Sequence, residues 1–123
     1  MIKIGGWITC FFAVFHVFFY WIFDWGKTLA MLDPVNRGIM LTFSWSCTVL
    51  LFAFAYQMLF HKDELASTAL GRAVLLGYSA FWLFRIVAEF LFFEISGVSS
   101  VVIILLCAIV AICSAVPALR HEK

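Results

Sequence analysis

Long apolar stretches separated by short polar segments run along the whole chain. Four of them are about twenty residues long, which is the length that crosses a bilayer as an α-helix. They cover residues 4–23, 39–60, 73–93 and 98–116. Because the connections are short, neighbouring helices are expected to run antiparallel. The pattern predicts an all-α membrane protein: a single domain, residues 1–123, folded as an antiparallel four-transmembrane-helix bundle with short loops.

The composition also favours a membrane protein over a soluble domain. Hydrophobic residues make up 66% of the chain and charged residues 12%, which is far from the balance of a soluble globular protein. The net charge of +1 comes with no basic stripe, so no nucleic-acid partner is expected. The first apolar run is too long and too aromatic for a signal peptide, and no small-residue cleavage site follows it. The lipid bilayer is therefore the first expected partner.

Basic residues are divided unevenly between the two sides of the predicted bundle. One side holds the amino terminus, the second connection and the carboxyl terminus, with Lys3, Lys62, Arg72, Arg120 and Lys123. The other side holds Lys27 and Arg37. Because cytoplasmic loops carry the excess of Lys and Arg, both termini are expected in the cytoplasm. The expected location is the cell inner membrane.

Local signals predict where some helices begin and end. Asp33 is a good N-cap residue, and Pro34 suits the first helical position, so the second helix is expected to begin a few residues before residue 39. Ser67 or Thr68 can cap the third helix in the same way. Pro117 is expected to end the fourth helix.

Two charges lie inside the third apolar stretch, at Arg85 and Glu89. A charge in hydrocarbon costs about 2.5–3.5 kcal/mol and by default marks a functional site. The two residues are spaced i, i+4, so they can also neutralise each other without any ligand. Arg before Glu is the weaker order for such a pair, which favours further partners on other helices. Tyr78 and Trp82 lie on the same strip of the helix.

The first apolar stretch carries a polar stripe of its own. His16, Tyr20 and Asp24 recur every fourth residue and so share one helix face, which is expected to point into the bundle. At 1.5 Å per residue, His16 and Arg85 each lie about 18 Å from the amino-terminal side of the bundle. A single histidine in an apolar helix is more often a hydrogen-bonded interior residue than a ligand, and both interpretations stay open.

These residues define a candidate ligand site in the outer half of the bundle. Ser44 lies at a similar depth on the second helix, although packing is the ordinary role of such serines, and Arg37 and Asp24 lie at the mouth. The predicted ligand-binding residues are His16, Tyr20, Asp24, Arg37, Ser44, Trp82, Arg85 and Glu89. A guanidinium suits a carboxylate or phosphate, and an imidazole can change charge with external pH. Alternatively, these groups bond only to one another and fix the helix register.

Neither a metal nor a cofactor is expected. The suitable metal ligands are few, and Arg85 would repel a cation. A haem would need axial histidines at matching depth, and the apolar stretches hold only His16. The cysteines are spread through the apolar stretches without a C-x-x-C pair, which is typical of packing residues; they are Cys10, Cys47, Cys107 and Cys113.

The leading functional hypothesis is a small polytopic membrane protein whose buried polar site binds a small anionic or hydrogen-bonding ligand or a lipid headgroup. A non-catalytic accessory subunit, docked on a larger membrane complex through its aromatic first helix, is the main alternative, and self-association into a homo-oligomer also stays open. A third hypothesis is an intramembrane enzyme that uses Glu89 or His16 as acid or base. The chain has no G-x-S-x-G or comparable nucleophile motif, so a non-enzymatic role is favoured.

Overall fold

The computed structural model describes residues 1–95 and 97–120, and all regular secondary structure in this part of the chain is helical. The α-helices are α1 (Ile2–Val17), α2 (Phe19–Ile22), α3 (Trp25–Thr28), α4 (Pro34–Phe60), α5 (Lys62–Ser67), α6 (Ala69–Phe92) and α7 (Val98–Leu119), with one 3-10 turn at Leu29–Met31. Three of them, α4, α6 and α7, are long and apolar enough to cross a membrane. The protein is therefore all-helical with three candidate membrane-spanning helices.

The first apolar stretch forms two helices, α1 and α2, where the sequence predicted a single helix over residues 4–23. The interruption is at Phe18, whose amide donates to the carbonyl of Phe15, three residues back, at 3.1 Å. The 16 residues of α1 rise about 24 Å, which is less than the roughly 30 Å of a hydrocarbon core. By length alone, α1 is therefore not a spanning helix.

Helix α4 begins where the local signals predicted. The carboxylate of Asp33 accepts hydrogen bonds from the amides of Val35 and Asn36 at 3.0 and 3.1 Å, and Pro34 is the first helical residue. The side-chain amide of Asn36 also donates to this carboxylate. These bonds, chiefly those from Asn36, hold the pKa of Asp33 below its ordinary value. The cap satisfies amides that a helix start leaves without partners.

Helices α5 and α6 meet at an unusually close approach. Thr68 caps α6, its Oγ1 accepting from the amide of Gly71 at 2.9 Å. A Cβ added to Gly71 would lie 2.4 Å from the carbonyl oxygen of Glu64 and 2.5 Å from the Cα of Leu65. Both are backbone atoms, which cannot rotate away. Glycine at position 71 is therefore required for the backbone of α5 to reach α6.

Helix α7 continues through Pro117 to Leu119, so the prediction that Pro117 ends the helix was wrong. Proline has no amide hydrogen and interrupts a helix most strongly in its interior. Here it lies in the last turn, where only the bond to the carbonyl of Cys113 is lost. The amide of Arg120 still donates to the carbonyl of Val116 at 3.1 Å.

Two apolar clusters hold the long helices together. The first joins α1, α4, α6 and α7 and contains Phe12, Ala13, Leu51, Trp82, Cys107, Val110 and Ala111. The second also includes α5 and contains Ile2, Met58, Leu65, Leu75, Tyr78 and Ala118. Residues 2 and 118 therefore lie at the same end of the molecule as α5. We call this the N-terminal end, and the end that holds α3 the loop end.

Glycine lets α1 approach its neighbours closely at the N-terminal end. A Cβ on Gly5 would lie 2.7 Å from Met58 Cε and 3.3 Å from Cys113 Cβ, and one on Gly6 would lie 3.0 Å from the side chain of Leu59. Small residues at helix contacts are typical of membrane proteins, where close packing replaces the hydrophobic effect as the force between helices.

The outward faces of the helices are apolar. Phe43 is 71% exposed, Phe84 68% and Leu91 69%, and many other large apolar side chains are similarly exposed. Soluble monomers rarely expose contiguous apolar surface on this scale. The surface is the kind that lipid covers.

Candidate functional site

The candidate site is built around an ion pair on α6. Nη1 of Arg85 donates to Oε2 of Glu89 at 2.7 Å, one helical turn away. The Glu89 side chain is only 4% exposed, whereas 31% of the Arg85 side chain remains accessible. The guanidinium carbon also lies 5.2 Å from the centroid of the Phe93 ring, a cation–π distance. The anion is thus enclosed, and the cation is partly open.

The part of α6 just before Arg85 packs against the other long helices. Trp82, one helical turn before Arg85, lies in the apolar cluster with Phe12 of α1, Leu51 of α4 and Cys107 of α7, and Cys47 of α4 packs against this cluster. Arg85 therefore lies one turn from the place where α6 contacts α1, α4 and α7.

His16 presents one ring nitrogen to the protein backbone. Its Nδ1 lies 2.8 Å from the carbonyl oxygen of Phe12, and its ring stacks on Phe19 at 4.1 Å. A carbonyl can only accept, so the proton of the neutral imidazole belongs on Nδ1. This bond leaves Nε2 as a hydrogen-bond acceptor, and the half-buried ring is held in a single orientation.

Trp82 supplies a buried donor on the same strip of α6 as Arg85 and Glu89. It is 2% exposed and packs on Phe12 with ring centroids 5.0 Å apart. Within residues 1–95 and 97–120, its Nε1 has no hydrogen-bond partner. Burying a donor without a partner costs about 1–3 kcal/mol. A role for this donor in ligand binding stays a prediction.

Two other predicted site residues lie after the end of α1, Tyr20 in α2 and Asp24 just before α3. Tyr20 is 41% exposed, and a Cβ on Gly26 would lie 3.5 Å from its hydroxyl oxygen. Asp24 adopts a left-handed backbone conformation with φ 47° and pairs with Lys27 at 2.9 Å. Both side chains therefore have neighbours within residues 20–27, and a role for them in ligand binding stays a prediction.

Arg37 and Ser44 also have local contacts. The guanidinium of Arg37 donates from Nε to the carbonyl of Leu29 at 3.0 Å and from Nη2 to that of Leu32 at 3.1 Å. It thereby ties the start of α4 to the 3-10 turn before it. Ser44 is half-buried, and its carbonyl accepts from Oγ1 of Thr48 at 2.9 Å. Their part in ligand binding likewise stays a prediction.

The structure adds residues that the sequence analysis did not assign to the site. Phe93 follows Arg85 by eight residues, a spacing that returns to the same helix face, so its contact could have been inferred. Cys47 and Cys107 had no such signal, because an isolated cysteine in an apolar helix is typical of packing.

No group of three or more His, Cys, Asp or Glu side chains in the described residues could hold a metal ion. No family model, no curated protein and no solved structure matches the chain. The function must therefore be inferred from the side chains themselves.

Proposed function

We propose that the protein is a four-helix integral membrane protein that binds a small anionic or hydrogen-bonding ligand, or a lipid headgroup, at a polar site in its outer half. The residues at the centre of the site are His16, Trp82, Arg85 and Glu89. The observation that carries the proposal is the unpartnered, buried Nε1 of Trp82 on the same helical strip as a buried ion pair.

Four crossings are supported by the position of the chain ends. Residues 2 and 118 lie in one apolar cluster with α5, which supports an even number of crossings. The segment from Ile2 to Ile22 provides the fourth: α1 and α2 together rise about 31 Å, enough for a hydrocarbon core. The excess of Lys and Arg at the N-terminal end supports a cytoplasmic location for both termini, in the inner membrane.

The four side chains offer complementary hydrogen-bonding groups. Arg85 and Trp82 can donate to an oxygen of a carboxylate, phosphate or carbonyl, and Nε2 of His16 can accept from a hydroxyl or amide of the same ligand. Glu89 already balances the charge of Arg85. An uncharged ligand therefore adds no uncompensated charge, and a monoanion must share the partly accessible guanidinium of Arg85 with Glu89. A second negative charge on the ligand would be buried without a counterion.

The test follows the indole signal of Trp82 by NMR. The full chain, with ¹⁵N-labelled tryptophan in lipid nanodiscs, is titrated with acetate, inorganic phosphate and glycerol 3-phosphate at about pH 5, where each probe carries at most about one negative charge. The Trp82→Phe variant assigns the signal among the five tryptophans. We expect at least one probe to shift the Trp82 signal saturably in the wild type and to lose most of this effect in Arg85→Met. A matched control, Trp7→Phe, removes an indole that is 66% exposed and should leave the titration unchanged.

The proposal is wrong if no probe shifts the Trp82 signal at millimolar concentration. It is equally wrong if the shift survives in Arg85→Met, because the guanidinium would then have no part in binding.

A second candidate, an accessory subunit of a larger membrane complex, is supported by the aromatic outer face of α1. Trp7 is 66% exposed and Phe11 59%, and Trp21, at the end of α2, is 66% exposed. Such a face can pack against another protein as well as against lipid. Purification in mild detergent distinguishes the two candidates: a subunit copurifies with a stoichiometric partner, whereas a self-contained binding protein elutes as a monomer or small homo-oligomer.

A further inference from the structure

A basic cleft lies at the N-terminal end, away from the polar site. It has a volume of about 380 Å³ and is formed where the start of α1, the start of α5 and the end of α7 converge. Its lining includes Ile2, Lys3, Lys62, Asp63, Pro117 and Arg120. The apolar residues and the charged residues come from the same three segments, so the cleft combines an apolar surface with a charged one.

The cleft is positively charged. Three basic side chains, those of Lys3, Lys62 and Arg120, line it against the single carboxylate of Asp63, which pairs with Lys62. Among residues 1–95 and 97–120 there are four ion pairs, and neither Lys3 nor Arg120 belongs to one. Within this part of the chain, the side chains of Lys3 and Arg120 are therefore available to an anion from outside the protein.

One face of α1 leads from the cleft along the outside of the molecule. Lys3, Trp7 and Phe11 follow one another at intervals of four residues and so lie on one face. Trp7 is 66% exposed and Phe11 59%. A cation, then a tryptophan, then a phenylalanine follows the order of headgroup, interface and hydrocarbon in a bilayer leaflet.

We propose that this cleft binds the phosphate of an anionic phospholipid headgroup, held by Lys3, Lys62 and Arg120, with an acyl chain lying along Trp7 and Phe11. Basic clefts between helices at a membrane surface are suited to acidic lipids, and charged hydrogen bonds to phosphate are strong. The apolar lining and the adjoining face of α1 favour a lipid over a free phosphate ion, because they can contact an acyl chain, which a free ion does not have.

Native mass spectrometry of the full chain in detergent tests the proposal. The probes are phosphatidylglycerol and phosphatidylcholine with identical acyl chains, so that only the headgroup differs. We expect the wild type to retain phosphatidylglycerol preferentially, and Lys3→Gln, Lys62→Gln and Arg120→Gln each to lower this preference about fivefold. Arg120→Lys keeps the charge and should keep most of the preference.

A matched control removes one positive charge from the opposite end of the molecule. Lys27→Gln changes the net charge by the same amount as Lys3→Gln and should leave the lipid preference unchanged. Thermal unfolding of each variant checks that it is folded.

Two results would overturn the proposal: equal retention of the two lipids by the wild type, or an equal loss of preference in Lys27→Gln and the cleft variants. Competition with inorganic phosphate distinguishes a lipid site from a site for free anions. If millimolar phosphate displaces phosphatidylglycerol completely and Trp7→Ala retains the lipid as well as the wild type does, the cleft is a site for free anions and the lipid assignment fails.

Discussion

Arg85 and Glu89 form a 2.7 Å ion pair whose two members are buried to very different degrees. The carboxylate side chain is 4% exposed and that of the arginine 31%. The long side chain of the arginine can extend toward the headgroups at the loop end when its partner is removed, whereas the enclosed carboxylate depends on the arginine for its counter-charge. Removing the arginine should therefore lower the stability of the protein more than removing the carboxylate.

The first prediction is that Arg85→Met destabilises the protein more than Glu89→Gln does. Arg85→Met leaves a buried carboxylate without a counter-charge, at a cost of about 3 kcal/mol. Glu89→Gln leaves a guanidinium whose long side chain can extend toward the headgroups at the loop end, so we expect a smaller loss of about 1 kcal/mol. Thermal unfolding in detergent measures both variants together with the double variant.

The double variant should be more stable than the sum of the two single losses predicts, since it strands neither charge. Simple additivity would show that the two groups are not energetically coupled, and the shared polar site would lose its basis.

The parts of the structure that the sequence predicted well depend on local chemistry or on apolar length. Asp33 followed by Pro34 predicted the start of α4 because the cap involves only the next few residues. The interruption at Phe18 could not be predicted in this way. No glycine or proline marks it, and the residues around it are the same aromatic types that continue the helix on either side.

The candidate site was predictable only where helix geometry determines it. Counting residues along the helices predicts that His16 lies level with Arg85, and one turn before these residues the rings of Phe12 and Trp82 are in contact, with centroids 5.0 Å apart. The contacts of Arg37 depend instead on how the connection before α4 folds. Its guanidinium reaches carbonyls of residues 29–32, and no periodicity in the sequence describes the path of that turn.

The second prediction concerns the close approach of α5 and α6. Gly71→Ala places a Cβ within 2.4–2.7 Å of three backbone atoms, so the helices must separate, at a cost of about 1–3 kcal/mol. Gly77→Ala is the matched control on the same helix, because nothing lies within 4 Å of an added Cβ there. It should be neutral or stabilising by up to about 1 kcal/mol, as alanine is the better helix former. Equal unfolding temperatures for the two variants would contradict the close contact.

The third prediction is a pH dependence at the start of α4. Hydrogen bonds to the Asp33 carboxylate hold its pKa in the folded protein below the value of the unfolded chain. Its contribution to stability is therefore fully present above the unfolded pKa and is lost as the pH falls through the lower, folded pKa. Asp33→Asn keeps a capping oxygen without titrating, so the unfolding temperature of this variant should fall less than that of the wild type below about pH 4. Parallel curves for the two proteins would show that Asp33 does not contribute.

The fourth prediction is that both termini face the cytoplasm. With Cys10, Cys47, Cys107 and Cys113 replaced by serine or alanine, single cysteines are introduced at Lys27 and at Arg120, and intact cells are treated with a membrane-impermeant maleimide. We expect labelling at position 27 and none at position 120 until the cells are opened. The reverse pattern would show that the protein has the opposite orientation. Labelling at both positions in intact cells would contradict the three crossings, α4, α6 and α7, that separate position 27 from position 120.

The fifth prediction concerns a hydrogen bond between two of the long helices. The hydroxyl of Tyr78 in α6 donates to Oε1 of Gln57 in α4, and Tyr78 is 4% exposed. Hydrogen bonds between helices in membranes contribute about 1 kcal/mol, so Tyr78→Phe should destabilise by about that amount, because it leaves the Gln57 oxygen without this donor. Gln57→Leu removes the other partner, and the Tyr78→Phe/Gln57→Leu double variant should regain part of the loss, since neither polar group then remains unpaired.

Tyr56→Phe is the matched control: Tyr56 is 58% exposed and its replacement should leave the unfolding temperature unchanged. If Tyr78→Phe behaves like Tyr56→Phe, the bond does not hold α4 and α6 together, and packing of Phe54 against Tyr78, with ring centroids 4.0 Å apart, must account for their contact.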